Sequence, residues 1–334
     1  MVKDKEDKLA SAFIEEYNNS EKIYSHHVNL DYKQNPFVGY TLKKLKKEIN
    51  NEVVLQTNEI GLRCPELDLI KSCDVILLGG SAIYSVFAAS EKATIHKLVE
   101  EISNKKVINC GVPGHVFKQH LSLYFNYLKN IKSKNIIIMF GFNDMVNCFM
   151  GRNYAGILNE NFANKVQRLY DHPFSSSIKI ILITILDFIG LKKYMYNKSL
   201  KKKVLKRNES IDNINDLIDN YLSDIEKDIF FFNNYCEKFD IKLHLILQPS
   251  LYVTKKKFSN YERRRFNEWT SIPKRQIYAT NFYEKIDHLL SKFNNYHNFS
   301  DCFDSEVDTI FIDECHYGDR GSIIVSKLIN NILK

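Results

Sequence analysis

The stretch from Asp74 to Ala82 constrains this chain more than any other. Val75, Ile76, Leu77 and Leu78 run without a polar break into Gly79, Gly80 and Ser81. A short apolar run closed by glycines predicts a strand buried on both faces, the kind of strand that parallel sheets are made of. Three more stretches repeat the pattern. Val107-Ile108-Asn109 ends in Cys110-Gly111-Val112-Pro113-Gly114, the run 135–140 ends in Gly141-Phe142-Asn143-Asp144, and Thr309-Ile310-Phe311-Ile312 leads into Asp313-Glu314-Cys315-His316. Between the first strands, Ile95, Leu98, Val99 and Ile102, then Phe117, Leu121, Tyr124 and Leu128, recur at helical spacing, as right-handed crossovers require. Parallel strands bring their C-terminal ends to one rim, where open α/β sheets bind ligands. Taken singly, each polar residue on that rim has a plainer reading: Ser81, Asp144 and Asp313 as helix caps, Asn143 as a turn former, His316 as a solvated first-turn residue.

In combination, the four blocks resemble those of the SGNH (GDSL-like) hydrolase superfamily over roughly residues 36–150 and 228–334. Position by position, Ser81 matches the nucleophile, Gly111 the block-two glycine, Asn143 the Gly-x-Asn-Asp asparagine, and Asp313 with His316 the Asp-x-x-His pair. Thr57-Asn58-Glu59-Ile60-Gly61-Leu62-Arg63 resembles the leader of bacterial members, many of which sit among surface-polysaccharide genes. Gly80 departs from the pattern, since the family more often has a non-catalytic aspartate there. The resemblance implies a three-layer α/β/α sandwich of the flavodoxin-like kind and serine-dependent ester chemistry.

The chemistry follows from the residue types as well. A serine hydroxyl needs a base within hydrogen-bond reach, and His316 is placed to be it. Asp313, three residues earlier, can fix the imidazole tautomer and stabilise the imidazolium. The oxyanion then needs donors, for which the Ser81 and Gly111 backbone N–H groups and the Asn143 side chain are the candidates. Cys110 beside Gly111 and Cys315 beside His316 raise a rival, a cysteine nucleophile. For substrate contacts the sequence nominates Arg63 and His115 near the Gly111 turn, and the resemblance of Gln248-Pro249-Ser250 to a Gln-Pro turn in polysaccharide-associated relatives implies Gln248; a structural ion pair and a plain turn are the competing readings of Arg63 and Gln248.

Composition bounds the rest. With 334 residues, 44% of them apolar, the chain can build a full core, and its +7 net charge is spread through lysine-rich helices without the aromatic interleaving of a base-stacking surface. No nucleic-acid partner is expected. Seven cysteines with no Cys-x-x-Cys pair predict neither a zinc site nor a disulfide framework, so no metal or cofactor is expected. Reduced thiols and a charged start, Met1 to Lys8, with no apolar signal core after it predict a cytoplasmic protein.

Residues 1–35 read as a polar helix, supported by Leu9, Phe13 and Tyr17, followed by a loop with His26 and His27 at the surface. Residues 36–67 read as a segment packed across the core, making 1–70 a leader and 71–334 the hydrolase-like domain, with an insertion at 150–208. Within that insertion the apolar run 178–186 passes into a lysine-rich flank up to Arg207, short of the roughly 20 apolar residues a bilayer span needs. A lid, an oligomer contact, or a peripheral membrane contact through 178–207 are its three readings. Ile211 to Phe232 predicts a long amphipathic helix feeding a strand at 241–247, and Phe282, Ile286, Leu289 and Phe293 predict another helix. The sheet is expected from 74–79, 106–109, 135–140, 241–247 and 309–312. The expected activity is hydrolysis of a carbohydrate O-acetyl ester through an acyl-serine. The alternatives are O-acyl transfer to a polysaccharide or sugar precursor, and a binding protein that keeps the fold without catalysis.

Overall fold

The structure, a computed structural model, describes residues 30–49, 51–149, 214–271 and 275–334. Tyr32–Asn35 (β1) pairs antiparallel with Gly39–Leu42 (β2), because Asn35 Oδ1 accepts the Phe37 and Val38 N–H groups and closes the turn. Lys46–Ile49 (β3) pairs the same way with Glu52–Gln56 (β4), turning through Asn51 at φ 64°. The segment that the sequence offers only as a leader is therefore built of two hairpins. Tyr40 donates its hydroxyl to Pro113 O, and Leu42 and Leu55 pack with Tyr84, Phe87 and Ile312. The hairpins thus cover the residues just after Ser81 and just before Asp313.

Ser72–Gly79 (β5) is central to the sheet. It pairs in parallel with Val107–Asn109 (β6) on one side and Lys132–Phe140 (β7) on the other. Lys242–Leu247 (β8) and Tyr296–Asn298 (β9) extend it, giving the order β6-β5-β7-β8-β9 with every pairing parallel. The helices are Ser81–Tyr84 (α1), Ile95–Ser103 (α2), Phe117–Leu123 (α3, continued by a π turn to Leu128), Phe142–Phe149 (α4), Ile214–Lys238 (α5), Asn260–Thr270 (α6), Arg275–Leu290 (α7) and Asp319–Ile332 (α8).

Side chains alternate across each strand, so the unbroken apolar runs feed two cores. Ile76, Leu78, Ile136, Ile138 and Leu245 face Phe117, Ile225, Phe232 and Phe282 of α3, α5 and α7. Val75, Leu77, Ile137 and Ile246 face Ile95 and Val99 of α2 and Val325 and Ile329 of α8. This is the expected α/β/α layering, and each such side chain, fully buried, contributes about 1.5–3 kcal/mol. Among the described residues no helix is long and apolar enough to cross a membrane. The 150–208 insertion, the run 178–207 and the helix read from Leu9, Phe13 and Tyr17 lie outside the described residues.

One strand is not where its sequence suggests. Residues 309–312 do not join the sheet; the fifth strand is β9, Tyr296–Asn298. The Ile310 and Phe311 N–H groups both donate, at 3.0 Å, to Oε1 of the fully buried Glu262 on α6, and the segment keeps only an isolated bridge from Phe311 to Tyr317. A carboxylate has taken the donors that a strand ladder would have used.

Candidate active site

Ser81 sits where β5 ends and α1 begins, preceded by Gly80 in extended conformation. A Cβ at Gly80 would stand 2.5 Å from Asn143 Nδ2, so the glycine that departs from the family pattern is what lets the asparagine amide close on this turn. The chain leaves α1 through Ser85 in the left-handed region, φ 59°.

His316 Nε2 is hydrogen-bonded to Ser81 Oγ, and His316 Nδ1 donates to Asp313 Oδ2 at 2.6 Å. The other Asp313 oxygen accepts the Cys315 N–H at 3.0 Å and the His316 N–H at 2.8 Å, so one carboxylate fixes both the ring and its loop. Burial pushes the Asp313 pKa up, but the His316 charge and the hydrogen bonds of these three donors override it and hold the group at about 2. Burial lowers the His316 pKa, and the Asp313 charge and hydrogen bond, with the Glu314 charge, more than reverse that, leaving it above the ordinary imidazole value. Phe87 covers one side of the ring, with centroids 5.5 Å apart. The network sets the tautomer: Nδ1 carries the proton towards Asp313, and Nε2 is free to accept from the serine.

The amide donors are arranged less simply. Asn143 donates through Nδ2 to His115 O at 2.9 Å. The Gly111 N–H donates to Asn109 Oδ1 at 2.9 Å, so it is turned away from the oxyanion role assigned to it from sequence. Asn109, which sequence reasoning passed over as the last residue of a strand, also donates to Ile83 O at 2.7 Å and so ties this turn to α1. Its signal was a polar residue ending an apolar run; the side chain is fully buried. Asp144 is buried too and caps two helices: it accepts from the Phe117 N–H at the start of α3, from the Gly141 N–H at the start of its own helix, and from Tyr221 OH. Burial raises its pKa to about 6.

The three residues nominated as substrate contacts are all engaged elsewhere. Arg63, 3% exposed, bonds Glu91 through Nε (2.9 Å) and Nη2 (2.8 Å) and donates Nη1 to Tyr84 O and Ser85 O, both at 3.0 Å. It is the structural ion pair, holding the chain as it leaves α1. His115 is 1% exposed, its ring bonded to Tyr40 O and its pKa lowered by burial to about 4; only its carbonyl reaches towards the site. Gln248, 3% exposed, donates to Cys315 O at 3.1 Å and so steadies the histidine loop. The direction of each side chain is set by partners that neighbouring sequence does not reveal.

Further partners of that loop escaped the sequence reading. Ser250 Oγ and Leu251 N–H donate to Glu314 O, and Tyr261 OH donates to Ile312 O at 2.7 Å. Glu262 accepts from Lys256 Nζ (2.7 Å) and Ser259 N–H (2.9 Å) as well as from Ile310 and Phe311, and the Lys256 and Glu262 side chains are both wholly buried. Glu314, its pKa raised to about 7 by burial and the Asp313 charge, lies 3.6 Å from Arg275. All seven cysteines are free, and burial pushes the Cys110 and Cys315 thiols well up, which is unfavourable for a thiolate nucleophile. Among the described residues, Asp313, Cys315 and His316 are the one group of three close metal-ligand atoms, and the aspartate and histidine are already bonded to each other.

A parallel α/β sheet carrying a Ser–His–Asp hydrogen-bond chain on its C-terminal rim is the arrangement of a serine hydrolase. No family model and no curated protein matches the chain. Solved structures to which it is similar include a protein described as lipolytic, of the G-D-S-L family, from Desulfitobacterium hafniense DCB-2 (10% identity, covering 78% of this chain and 99% of that one, TM-score 0.42). Others are the acetyl xylan esterase AlAXEase (12%, 77% and 97%, 0.39) and the acetylxylan esterase Axe2 from Geobacillus stearothermophilus (13%, 78% and 94%, 0.39).

Proposed function

We propose that this chain is a serine esterase that removes an acetyl group from a carbohydrate. The observation that carries the reading is the placement of His316 between the Ser81 hydroxyl and the Asp313 carboxylate. In this mechanism Ser81 Oγ attacks the ester carbonyl while His316 Nε2 takes its proton, and Asp313 holds the ring and offsets the imidazolium charge. The tetrahedral oxyanion is met by the Ser81 N–H and by the Asn143 amide hydrogen not used on His115. The Gly111 N–H, bonded to Asn109 Oδ1, is not one of these donors. His316 returns its proton to the departing sugar oxygen, leaving acyl-serine and alcohol. Water, deprotonated by the same ring, then releases acetate.

The carbohydrate part of the reading rests on the Thr57 to Arg63 leader, which resembles that of polysaccharide-associated relatives. The test is turnover of nitrophenyl acetate, with and without sugar acceptors, together with labelling by a serine-directed phosphonate. Hydrolysis lost in Ser81→Ala and His316→Ala, with label on Ser81 in the unaltered chain, is expected. Acetyl appearing on the acceptor in place of free acetate would make the protein a transferase; an unlabelled Ser81 in a folded chain would make it a non-catalytic binding protein.

A further inference from the structure

Two histidines face each other on neighbouring strands away from Ser81, and nothing in the esterase chemistry uses them. His244 of β8 and His297 of β9 bring Nδ1 and Nε2 to 3.3 Å, beside a cleft of about 510 Å³ at the N-terminal edge of these strands. Ser81 and its partners lie at the opposite, C-terminal ends.

The tautomer of His244 is fixed by a chain of bonds. Asn135 donates Nδ2 to Asp74 O at 3.1 Å, which leaves its Oδ1 facing His244 Nε2 at 3.4 Å. A carbonyl oxygen only accepts, so Nε2 carries the proton and Nδ1 presents its lone pair to the other ring. Burial lowers the pKa of both rings, with the His297 and Lys242 charges adding to the effect at His244. As a hydrogen bond, 3.3 Å is long for N–H···N. As the distance between two ligands of one metal it fits: nitrogens about 2.0–2.1 Å from a tetrahedral ion stand roughly 3.3 Å apart.

We propose that His244 and His297 form a binding site for a divalent transition-metal ion of the zinc class, with the remaining positions taken by water from the cleft. The ion displaces the proton the rings share. His297 shifts that proton from Nε2 to Nδ1 through solvent, so both facing nitrogens become lone-pair donors and no net charge is lost. Asn135 then plays the part of the oxygen acceptor that orients a ligating imidazole through its other N–H. Glu237 and Asp240 on the cleft wall favour a cation there, and Lys242 opposes it. Neutral imidazole pairs suit zinc, copper and nickel over magnesium, which prefers oxygen donors.

The experiment is isothermal titration of the full chain with zinc, and with magnesium as control. The expected result is one zinc ion per chain, no magnesium, and affinity weakened at least about ten-fold by His244→Gln or His297→Gln and about 10–100-fold by Asn135→Ala. Zinc should raise the melting temperature of the unaltered chain and not that of the histidine variants. Should either glutamine variant not fold, Asn135→Ala leaves both rings in place and decides the question. Binding should persist in His316→Ala. No zinc uptake up to millimolar concentration, or uptake lost in His316→Ala and kept in the His244 and His297 variants, would overturn the proposal.

Discussion

The loop that carries Asp313 and His316 is held by a side chain where a sheet would use backbone, and Glu262→Gln is the perturbation that exposes this. Glu262 Oε1 accepts from Ile310 and Phe311, and Oε2 from Lys256 and Ser259. Glutamine offers one oxygen and one NH₂, so whichever way the amide sits, two of these donors face a donor. It also leaves Lys256, with a side chain of zero exposure, beside a neutral partner. Stranding one member of a buried ion pair costs about 3–5 kcal/mol. Losing the clamp on 310–311 frees the chain two residues before Asp313, and a displacement of about 1 Å at the imidazole reduces turnover roughly 100-fold. Two assays read the two effects: the urea midpoint, at unchanged slope, and kcat for nitrophenyl acetate measured where the variant is folded. Lys256→Met combined with Glu262→Met removes both the stranded charge and the acceptor, and should recover much of the stability but not the rate, because the amides of 310 and 311 then have no oxygen to bond. A Lys256→Met/Glu262→Met chain with wild-type kcat would refute the clamp, and one no more stable than Glu262→Gln would refute the electrostatic part of the cost.

The other expectations concern the relay and its surroundings. Asn143→Ala removes one oxyanion donor and should lower kcat about 100- to 1,000-fold with little change in the melting temperature; full activity would remove Asn143 from the oxyanion site. Because Asp313 raises the His316 pKa above its usual value of 6.5, and the ring must be neutral to accept the serine proton, kcat/KM should rise with pH through an inflection above 6.5. Asp313→Asn should move that inflection to lower pH and reduce kcat by roughly 10⁴-fold, while an unmoved limb would mean that another group titrates. In stability the two partners have opposite signs: the raised His316 stabilises the fold below the unfolded imidazole pKa and the gain is lost as pH rises through its folded value. The lowered Asp313 stabilises above 3.8, and its share disappears as pH falls towards 2, which an acid titration by circular dichroism can follow. Cys315→Ala should keep hydrolysis within a few-fold of the unaltered chain, since its thiol is buried and protonated; complete loss would revive the thiol reading.

How much of this was legible in the sequence depended on the kind of interaction that decides each element. The strands around Val75–Leu78, Ile136–Phe140 and Leu245–Leu247 are set by burial on both faces, which an unbroken apolar run states directly. The crossover helices followed from spacing, and Asp313 meets His316 because three residues is a local distance that one turn closes. Residues 309–312 misled for a complementary reason: Ile310, Phe311 and Ile312 are apolar and buried, as a strand would be, but the donors of 310 and 311 are claimed by a carboxylate 48 residues away from Ile310 in the chain. β9, with the sequence Tyr-His-Asn, carries no apolar alternation at all and earns its place only by pairing with Leu245–Leu247.

The same distinction separates the reactive groups from the nominated substrate contacts. Ser81 and His316 are each identifiable from a strand end and a local spacing, whereas the role of Arg63 depends on Glu91 and on two carbonyls of the turn after α1, and that of Gln248 on the carbonyl of Cys315. These residues do stand around the site, yet they act on its backbone. Every loop that delivers a reactive group is fastened by a buried polar side chain from elsewhere: Arg63 holds the exit of α1, Asn109 joins α1 to the Gly111 turn, Asp144 links that region to α3, and Gln248, Ser250 and Glu262 hold the histidine loop. Buried polar groups are tolerated only when paired, so each such residue fixes its loop to one geometry with the bonds it makes there. Substitutions at Arg63 or Gln248 should therefore act through the backbone they hold, lowering stability and kcat together and by a similar factor for every ester tested.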